Sequence, residues 1–265
     1  MLNILITGAA SGIGKVVMNK YLENNHKVFA VDITPIKVDN MNNIKSLVVD
    51  ITNPKDVKEV KEYLLVNNIK LDLIINIAGI HKMASLVESD YELIKKVIDV
   101  NLNGPMLINN TLYPLLKKKG KIIIVTSEVV TLNPLPFNGI YSVSKTALDT
   151  YAQSLRQELN LLNQKVITIR PGAISTPLQT GALADTESLA ENTVLFKKES
   201  RKFLSITKKF MGKPLNPEKL GKLIYKVSLK KNPKYIYKIH HNIGLKLLSI
   251  LPKRLQCSII KLILK

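Results

Sequence analysis

Short apolar runs alternate with longer segments of helical spacing along most of this chain. Residues 2–7, 27–31, 46–49, 71–75, 121–126 and 166–170 are apolar runs that end in a polar or turn residue. Such runs are typical of parallel strands that are buried on both faces. The segments 12–23, 54–66, 91–117 and 144–162 repeat their apolar residues at helical spacing. The alternation predicts an α/β protein with a doubly wound parallel sheet.

The alternating pattern is not interrupted by a sequence feature that would mark a domain boundary. No internal repeat, Gly/Ser-rich linker or low-complexity tract divides the sequence, so we predict a single domain over residues 1–239. Within it, residues 177–213 are predicted to form a less regular insertion that covers the substrate. Residues 240–265 are predicted to form a C-terminal helical extension, a basic amphipathic tail.

Composition excludes several classes of protein. The 265 residues are 46% hydrophobic, which excludes disorder as the main state. A single cysteine, Cys257, excludes an intramolecular disulfide and a cluster of thiolate ligands, and no metal is expected. No apolar run is long enough to span a bilayer and no secretion signal is recognised, so we predict a cytoplasmic protein.

The charge is basic and unevenly distributed. The formal net charge is +19, and residues 219–265 hold twelve Lys and Arg with no Asp or Glu. This excess indicates either an anionic partner or lysines spread over solvated faces. In the tail, basic residues between apolar ones at helical spacing suit peripheral contact with an anionic membrane. The same apolar stripe could instead pack on the domain or on a partner subunit. Nucleic acid is not expected, because the tail lacks aromatic residues for base stacking.

A glycine-rich turn follows the first predicted strand and precedes the first predicted helix. Its glycines, Gly8, Gly12 and Gly14, permit a tight turn, close approach of backbone to a pyrophosphate, and close packing of helix on strand. The N–H groups at the start of the helix would point at the phosphates. The turn, with Ser11 and Ile13, therefore predicts a dinucleotide site in a Rossmann-like fold.

Asp32 ends the second predicted strand, 18 residues after Gly14. Its carboxylate could accept hydrogen bonds from both hydroxyls of the adenosine ribose and would repel a 2′-phosphate. No Arg or Lys stands at Ser11 or Ile33 to compensate for an extra phosphate. We therefore predict NAD as the cofactor rather than NADP.

Tyr141 and Lys145 are four residues apart in a predicted helix, so their side chains share one face. An adjacent ammonium and an oxidised nicotinamide both favour the phenolate and would lower a tyrosine pKa from its reference value near 10. Alone, a Tyr followed by a Lys at this spacing is common by chance.

The order of several motifs resembles the short-chain dehydrogenase/reductase family over about residues 1–230. These motifs are the glycine turn, the stretch Asn76-Ile77-Ala78-Gly79, Asn101 in the central helix, Ser127 after the fifth strand, the Tyr141 and Lys145 pair, and Pro171-Gly172 with Thr176. The resemblance implies an NAD(P)-dependent oxidoreductase that is a homodimer or homotetramer. The sequence departs from the family at Ile77, where a second Asn is common. It also has one extra residue between Ser127 and Tyr141.

By this resemblance, Tyr141 exchanges a proton with the substrate oxygen and Ser127 stabilises charge on that oxygen. Lys145 would bind the nicotinamide ribose and lower the pKa of Tyr141, and Asn101 would anchor a water in a proton relay. We place the extra residue in the loop 129–138, since keeping the family spacing would put Glu128 in the place of Ser127. The other implied cofactor contacts are Asp50, Ile51, Asn76, Ala78, Gly79, Pro171, Gly172, Ile174 and Thr176. Asp50 has an alternative role as a cap before Pro54.

The loops after the strands are apolar, at about residues 80–84, 129–137 and 177–210. They predict a small lipophilic alcohol or ketone as substrate. His81 is the one titratable outlier and is interpreted as a surface-loop histidine. Two other functions remain open: a non-catalytic dinucleotide-binding scaffold and a peripheral membrane protein.

Overall fold

The computed structural model describes residues 1–36, 43–210 and 213–265. Its strands form one seven-stranded parallel sheet of order β3-β2-β1-β4-β5-β6-β7. The strands are β1 (Asn3–Thr7), β2 (Lys27–Asp32), β3 (Ile44–Val48), β4 (Leu71–Asn76), β5 (Leu116–Val125), β6 (Lys165–Pro171) and β7 (Ile236–Ile239). The chain winds outwards from β1 in both directions, which leaves a crevice at the switch point beside β1 and β4.

Helices cover both faces of this sheet. They are α1 (Gly12–Leu22), α2 (Pro54–Val66), α3 (Tyr91–Ile98), α4 (Gly104–Leu112), α5 (Gly139–Leu161), α6 (Pro177–Asn192), α7 (Lys197–Phe210), α8 (Pro217–Leu229), α9 (Ile243–Ile250) and α10 (Lys253–Leu264). Alternate side chains of β1 enter different cores: Leu5 packs with α2 and α4, while Ile4 and Ile6 pack with α1 and α8. The predicted doubly wound, Rossmann-like α/β fold is confirmed.

Three local predictions were wrong. The helix predicted over residues 91–117 is interrupted by a π-helical turn, Asp99–Asn103, and ends in a short 3₁₀ turn, Tyr113–Leu115, where Pro114 cannot continue an α-helix. Residues 116–120 belong to β5. The segment 177–213, predicted to be less regular, consists mainly of the helices α6 and α7.

The C-terminal tail folds back onto the domain. The N–H of Asn133 donates a hydrogen bond of 3.0 Å to the hydroxyl of Ser249 in α9. In α10, the buried Leu264 packs in a cluster with Phe137 and with Phe203 of α7. Part of the tail therefore packs on the domain, one of the alternatives that the sequence left open. None of the helices in the described part of the chain is long and apolar enough to cross a membrane.

Candidate functional site

A cavity of about 910 Å³ lies at the carboxyl ends of the central strands. It is lined by the following residues from the sequence prediction: Gly8, Ser11, Gly12, Ile13, Gly14, Asp32, Asp50, Ile51, Ala78, Gly79, Ser127, Tyr141, Lys145, Pro171, Gly172, Ile174 and Thr176. Of the predicted site residues, Asn76 and Asn101 do not line it. A crevice at this edge is where open α/β sheets bind their ligands.

The glycine turn is held so closely that side chains would not fit. Gly8 and Gly12 have φ angles of +73° and +50°, in the left-handed region that favours glycine. A Cβ at Gly8 would lie 2.8 Å from the backbone of Ala78, and one at Gly14 would overlap the carbonyl oxygen of Gly8. The turn thus keeps bare backbone at the cavity wall, which fits the pyrophosphate of a dinucleotide.

The first turn of α1 points its amide groups towards the same wall. Ser11 is the N-cap residue, but its side chain makes no capping hydrogen bond to the helix. Since Ser11, Gly12 and Ile13 all line the cavity, the N–H groups of this turn and the helix dipole suit an anionic ligand.

Two carboxylates are fixed by hydrogen bonds on the adenosine side of the expected cofactor site. The Asp32 carboxylate accepts from the N–H groups of Ala10 and Thr34, both at 2.9 Å. The Asp50 carboxylate accepts from the N–H and the hydroxyl of Thr52, at 2.8 and 2.7 Å. The cap of α2 is Asn53, whose side chain accepts from the N–H of Lys55. Asp50 therefore does not cap this helix, and its carboxylate lies at the cavity wall.

Tyr141 and Lys145 lie in the first turns of α5, and both are buried. The Lys145 Nζ is 5.9 Å from the centre of the Tyr141 ring and donates to the carbonyl of Val125 at 3.4 Å. Burial raises the pKa of Tyr141 to about 12, an effect that its hydrogen bond with Ser127 opposes. Burial lowers the pKa of Lys145 to about 8. The groups of the chain itself therefore keep the phenol protonated at neutral pH, ready to donate.

Ser127 and Glu128 follow β5, and their side chains contact different partners. The hydroxyl of Ser127 accepts from the N–H of Val129 at 3.4 Å, and its proximity lowers the pKa of Tyr141, against the larger effect of burial. The Glu128 carboxylate instead accepts from the N–H of Asn242 at 2.6 Å, and burial raises its pKa. This geometry favours Ser127 over Glu128 as the partner of the phenol.

The two predicted residues that do not line the cavity are buried behind it. In Asn101, which lies in the π-helical turn, the amide oxygen accepts from the N–H of Ile80, and the amide nitrogen donates to the Ile80 carbonyl and to the Ser144 hydroxyl, all at 2.8–2.9 Å. This side chain fixes the loop after β4. The π turn that places it is a feature often found at functional sites.

Asn76 was predicted as a cofactor contact, and the structure does not place it there. The strand β4 continues through Asn76, which pairs with Thr7 and Ile124. Its buried side chain donates to the Asn109 side chain of α4 at 2.8 Å, on the helix side of the sheet. The cavity wall is instead formed by Ala78 and Gly79, two and three residues later.

His81 was interpreted as a surface-loop histidine, and this was wrong. Its ring lies 4.0 Å from the Tyr141 ring, centre to centre, and its Nε2 is 2.9 Å from the amide oxygen of Asn138. Burial lowers the pKa of His81, which favours the neutral imidazole. The sequence carries no signal for this contact, because the two partners of His81 are brought to it only by the fold.

The outer part of the cavity is apolar and is closed by the insertion and the tail. Its lining there includes Met83, Leu135, Leu178, Phe203, Ile206, Gly244 and Leu245. The contribution of α9 was not predicted. Among the described residues, no group of three or more His, Cys, Asp or Glu side chains is placed to hold a metal ion.

Comparison with known proteins agrees with this site. Residues 2–187 match the model of the short chain dehydrogenase family. A 3-ketodihydrosphingosine reductase of Bacteroides thetaiotaomicron is 30% identical over 89% of this chain and 87% of its own length. An NADPH-dependent 1-acyldihydroxyacetone phosphate reductase of Schizosaccharomyces pombe is 32% identical over 73% of this chain and 67% of its own length.

Among solved structures, a short chain dehydrogenase family protein of Francisella tularensis is 27% identical, with a TM-score of 0.75 over 90% of this chain and 97% of the other. This chain belongs to the short-chain dehydrogenase/reductase family and is an NAD(P)-dependent oxidoreductase acting on CH–OH or keto groups.

Proposed function

We propose that the protein interconverts a lipophilic secondary alcohol and its ketone, with Tyr141 as the general acid and base at the substrate oxygen. The observation that carries this proposal is that Tyr141 and Ser127 both line one cavity whose outer wall is apolar. The names of two relatives, which specify a 3-keto sphingoid base and an acyl dihydroxyacetone phosphate, support a ketone with a long chain.

In the reductive direction, the Ser127 hydroxyl donates a hydrogen bond to the carbonyl oxygen and stabilises the charge that develops there. Tyr141, protonated at neutral pH because its pKa is about 12, gives its proton to the same oxygen. A bound nicotinamide would supply the hydride for the carbonyl carbon. In the oxidative direction, Tyr141 accepts the hydroxyl proton, and a positive charge on Lys145 favours its phenolate.

Other residues of the chain would hold the cofactor. The glycine turn and the first turn of α1 would bind the pyrophosphate, and Asp50 and Ile51 would lie beside the adenine. Lys145 would donate to the nicotinamide ribose. Ile174 and Thr176 would contact the carboxamide, next to Pro171 and Gly172 at the end of β6. All of these residues line the one cavity.

Asp32 supports NAD over NADP, because its carboxylate is fixed at the end of β2 and would repel a 2′-phosphate. Replacing Asp32 with Ser should raise the ratio of kcat/KM with NADPH to that with NADH by roughly tenfold. Parallel assays of the wild-type and variant enzymes with both cofactors measure this ratio. An unchanged ratio would contradict the role of Asp32.

The test of catalysis is Tyr141→Phe, which removes the hydroxyl and keeps the ring. We expect turnover of long-chain ketones to fall by roughly a thousandfold or more, while NADH binding, followed by fluorescence, changes less than about threefold. Tyr151→Phe is the matched control, since Tyr151 lies on the same helix but does not line the cavity. A wild-type protein that binds NADH but reduces none of a series of ketones would favour the non-catalytic scaffold.

Assembly and location stay predictions. Homodimers or homotetramers follow from the family resemblance, and light scattering on the purified protein measures the mass in solution. A cytoplasmic location follows from the sequence, and cell fractionation measures it.

A further inference from the structure

Helix α9 carries three of its five large aliphatic side chains on the side that faces away from the protein. Ile243, Leu247 and Ile250 are 74%, 62% and 71% exposed and follow one another at helical spacing. No residue of α9 is buried. The opposite side faces the domain, where Leu245 lines the cavity and Ser249 bonds to Asn133. We call the three exposed side chains the tail face.

Helix α10 continues this apolar surface. It packs on the domain through Gln256 and Leu264, which are buried. Beside that packing face, Leu255 and Leu262 are left exposed. With Ile263, six large aliphatic side chains from two consecutive helices thus face solvent, although single exposed aliphatics are ordinary on a protein surface.

The charged side chains on α9 and α10 themselves all have one sign. Exposed basic residues interrupt the apolar ones along both helices: Lys246, Lys253, Arg254, Lys261 and Lys265. From residue 219 to the C-terminus there is no Asp or Glu to neutralise them. An apolar face beside a cationic rim complements a surface that offers both hydrocarbon and negative charge.

We propose that the tail face, with the flanking basic residues, docks on an anionic phospholipid bilayer. The helix α9 would lie in the plane of the interface, with Ile243, Leu247 and Ile250 among the acyl chains and Lys246 at the headgroups. No spanning helix is required for such contact.

Two other occupants fit these observations less well. A symmetric contact with a second copy would place the same cationic tail against itself, so that like charges would repel. A nucleic acid would neutralise the lysines but would offer the exposed aliphatic side chains nothing to bury them.

The position of α9 gives this docking a consequence for the proposed function. The inner side of α9, at Gly244 and Leu245, forms part of the cavity wall, while the outer side would contact lipid. A lipophilic ketone dissolved in the bilayer would then be held next to the cavity. This consequence rests on the proposed function, whereas the docking itself does not.

Flotation of the full-length protein with vesicles tests the proposal. We expect flotation with vesicles of phosphatidylcholine and phosphatidylglycerol, little with phosphatidylcholine alone, and release by high salt. The triple variant Ile243→Ser, Leu247→Ser, Ile250→Ser should reduce the floated fraction by roughly tenfold. The matched control replaces exposed aliphatics elsewhere: Val66→Ser, Leu161→Ser, Leu162→Ser. It should float as the wild type does.

Two double variants test the contribution of the basic residues to vesicle binding. Lys246→Gln, Lys253→Gln should weaken flotation severalfold, while Lys118→Gln, Lys119→Gln, on exposed residues of β5, should not. Turnover of a water-soluble ketone is measured on every variant, so that loss of docking and failure of the proposed reaction are told apart. Absence of flotation, or flotation unaffected by the triple Ser variant, would overturn the proposal. The proposal would also be overturned if the triple Ser variant floated as the wild type does and changed only the oligomer mass or the binding of DNA.

Discussion

Lys145 illustrates how the burial of a single ionisable side chain costs stability. Its ammonium is buried, and burial lowers its pKa from 10.5 to about 8. The unfolded chain therefore holds the proton up to a higher pH than the folded chain. Stability should be lowest below about pH 8, where the charged form is buried, and should rise as pH increases from about 8 to 10.5.

Lys145→Met tests this argument. The variant should lose turnover, yet its free energy of unfolding at pH 7 should rise by roughly 2 kcal/mol, because no charge is buried. Urea denaturation at pH 7 and pH 9.5 measures it, with the exposed Lys118→Met as control. A Lys145→Met variant that was less stable than the wild type at pH 7 would contradict this argument. It would show that the Lys145 ammonium is solvated or paired with an opposite charge in the folded protein.

At the scale of elements, two helical glycines differ in the space that is available for an added Cβ. Gly14 lies where α1 meets the glycine turn, and an added Cβ would meet the backbone of Gly8 and Ala9. Gly181 lies within α6, and an added Cβ there would have nothing within 4 Å. Backbone cannot move aside as a flexible side chain can, so the same substitution should have opposite effects at the two positions.

Gly14→Ala should therefore lower the free energy of unfolding by roughly 3 kcal/mol and weaken NADH binding, since the turn would open. Gly181→Ala should raise the free energy of unfolding by about 0.5–1 kcal/mol, because alanine loses less backbone entropy in a helix. Thermal and urea denaturation, together with NADH titration, measure both effects. Equal effects at the two positions would show that the packing around Gly14 is looser than described.

At the scale of the whole molecule, the C-terminal helix α10 packs behind one wall of the cavity without lining it. Leu264 and the partly buried Ile260 of α10 pack against the cluster of Phe137 and Phe203, and Phe203 also lines the cavity. The tail is thus joined to α7, while the glycine turn and Asp32 lie at the other side of the site.

Removal of residues 252–265 should lower the free energy of unfolding by roughly 2–4 kcal/mol and raise the KM for long-chain ketones severalfold. The Kd for NADH should change less than about twofold, because the residues that would hold the dinucleotide are not in α10. Deletion of the exposed Lys265 alone serves as control. A truncated protein with the wild-type KM would show that α10 does not shape the substrate end.

Some of the family motifs could be recognised in the sequence, because each of them depends on residues that are close together in the chain. The alternation of runs predicted the doubly wound sheet, the spacing of Gly8, Gly12 and Gly14 predicted the turn, and the spacing of Tyr141 and Lys145 put both on one helix face. Burial on both sides of a parallel strand and the period of a helix are local properties, so the sequence shows them directly.

The contacts that the sequence did not predict depend on packing between segments that are distant in the chain. The stacking of His81 on Tyr141 depends on a loop that is fixed by Asn101, and the sequence spacing does not encode it. The same holds for Asn76, whose side chain donates to Asn109 of α4. In the tail, amphipathic spacing predicted a helix, but only the tertiary structure determined which apolar residues pack inward and which, such as Ile243 and Leu247, face outward. A hydrophobic pattern defines a face, and the partner of that face depends on the position of every other element.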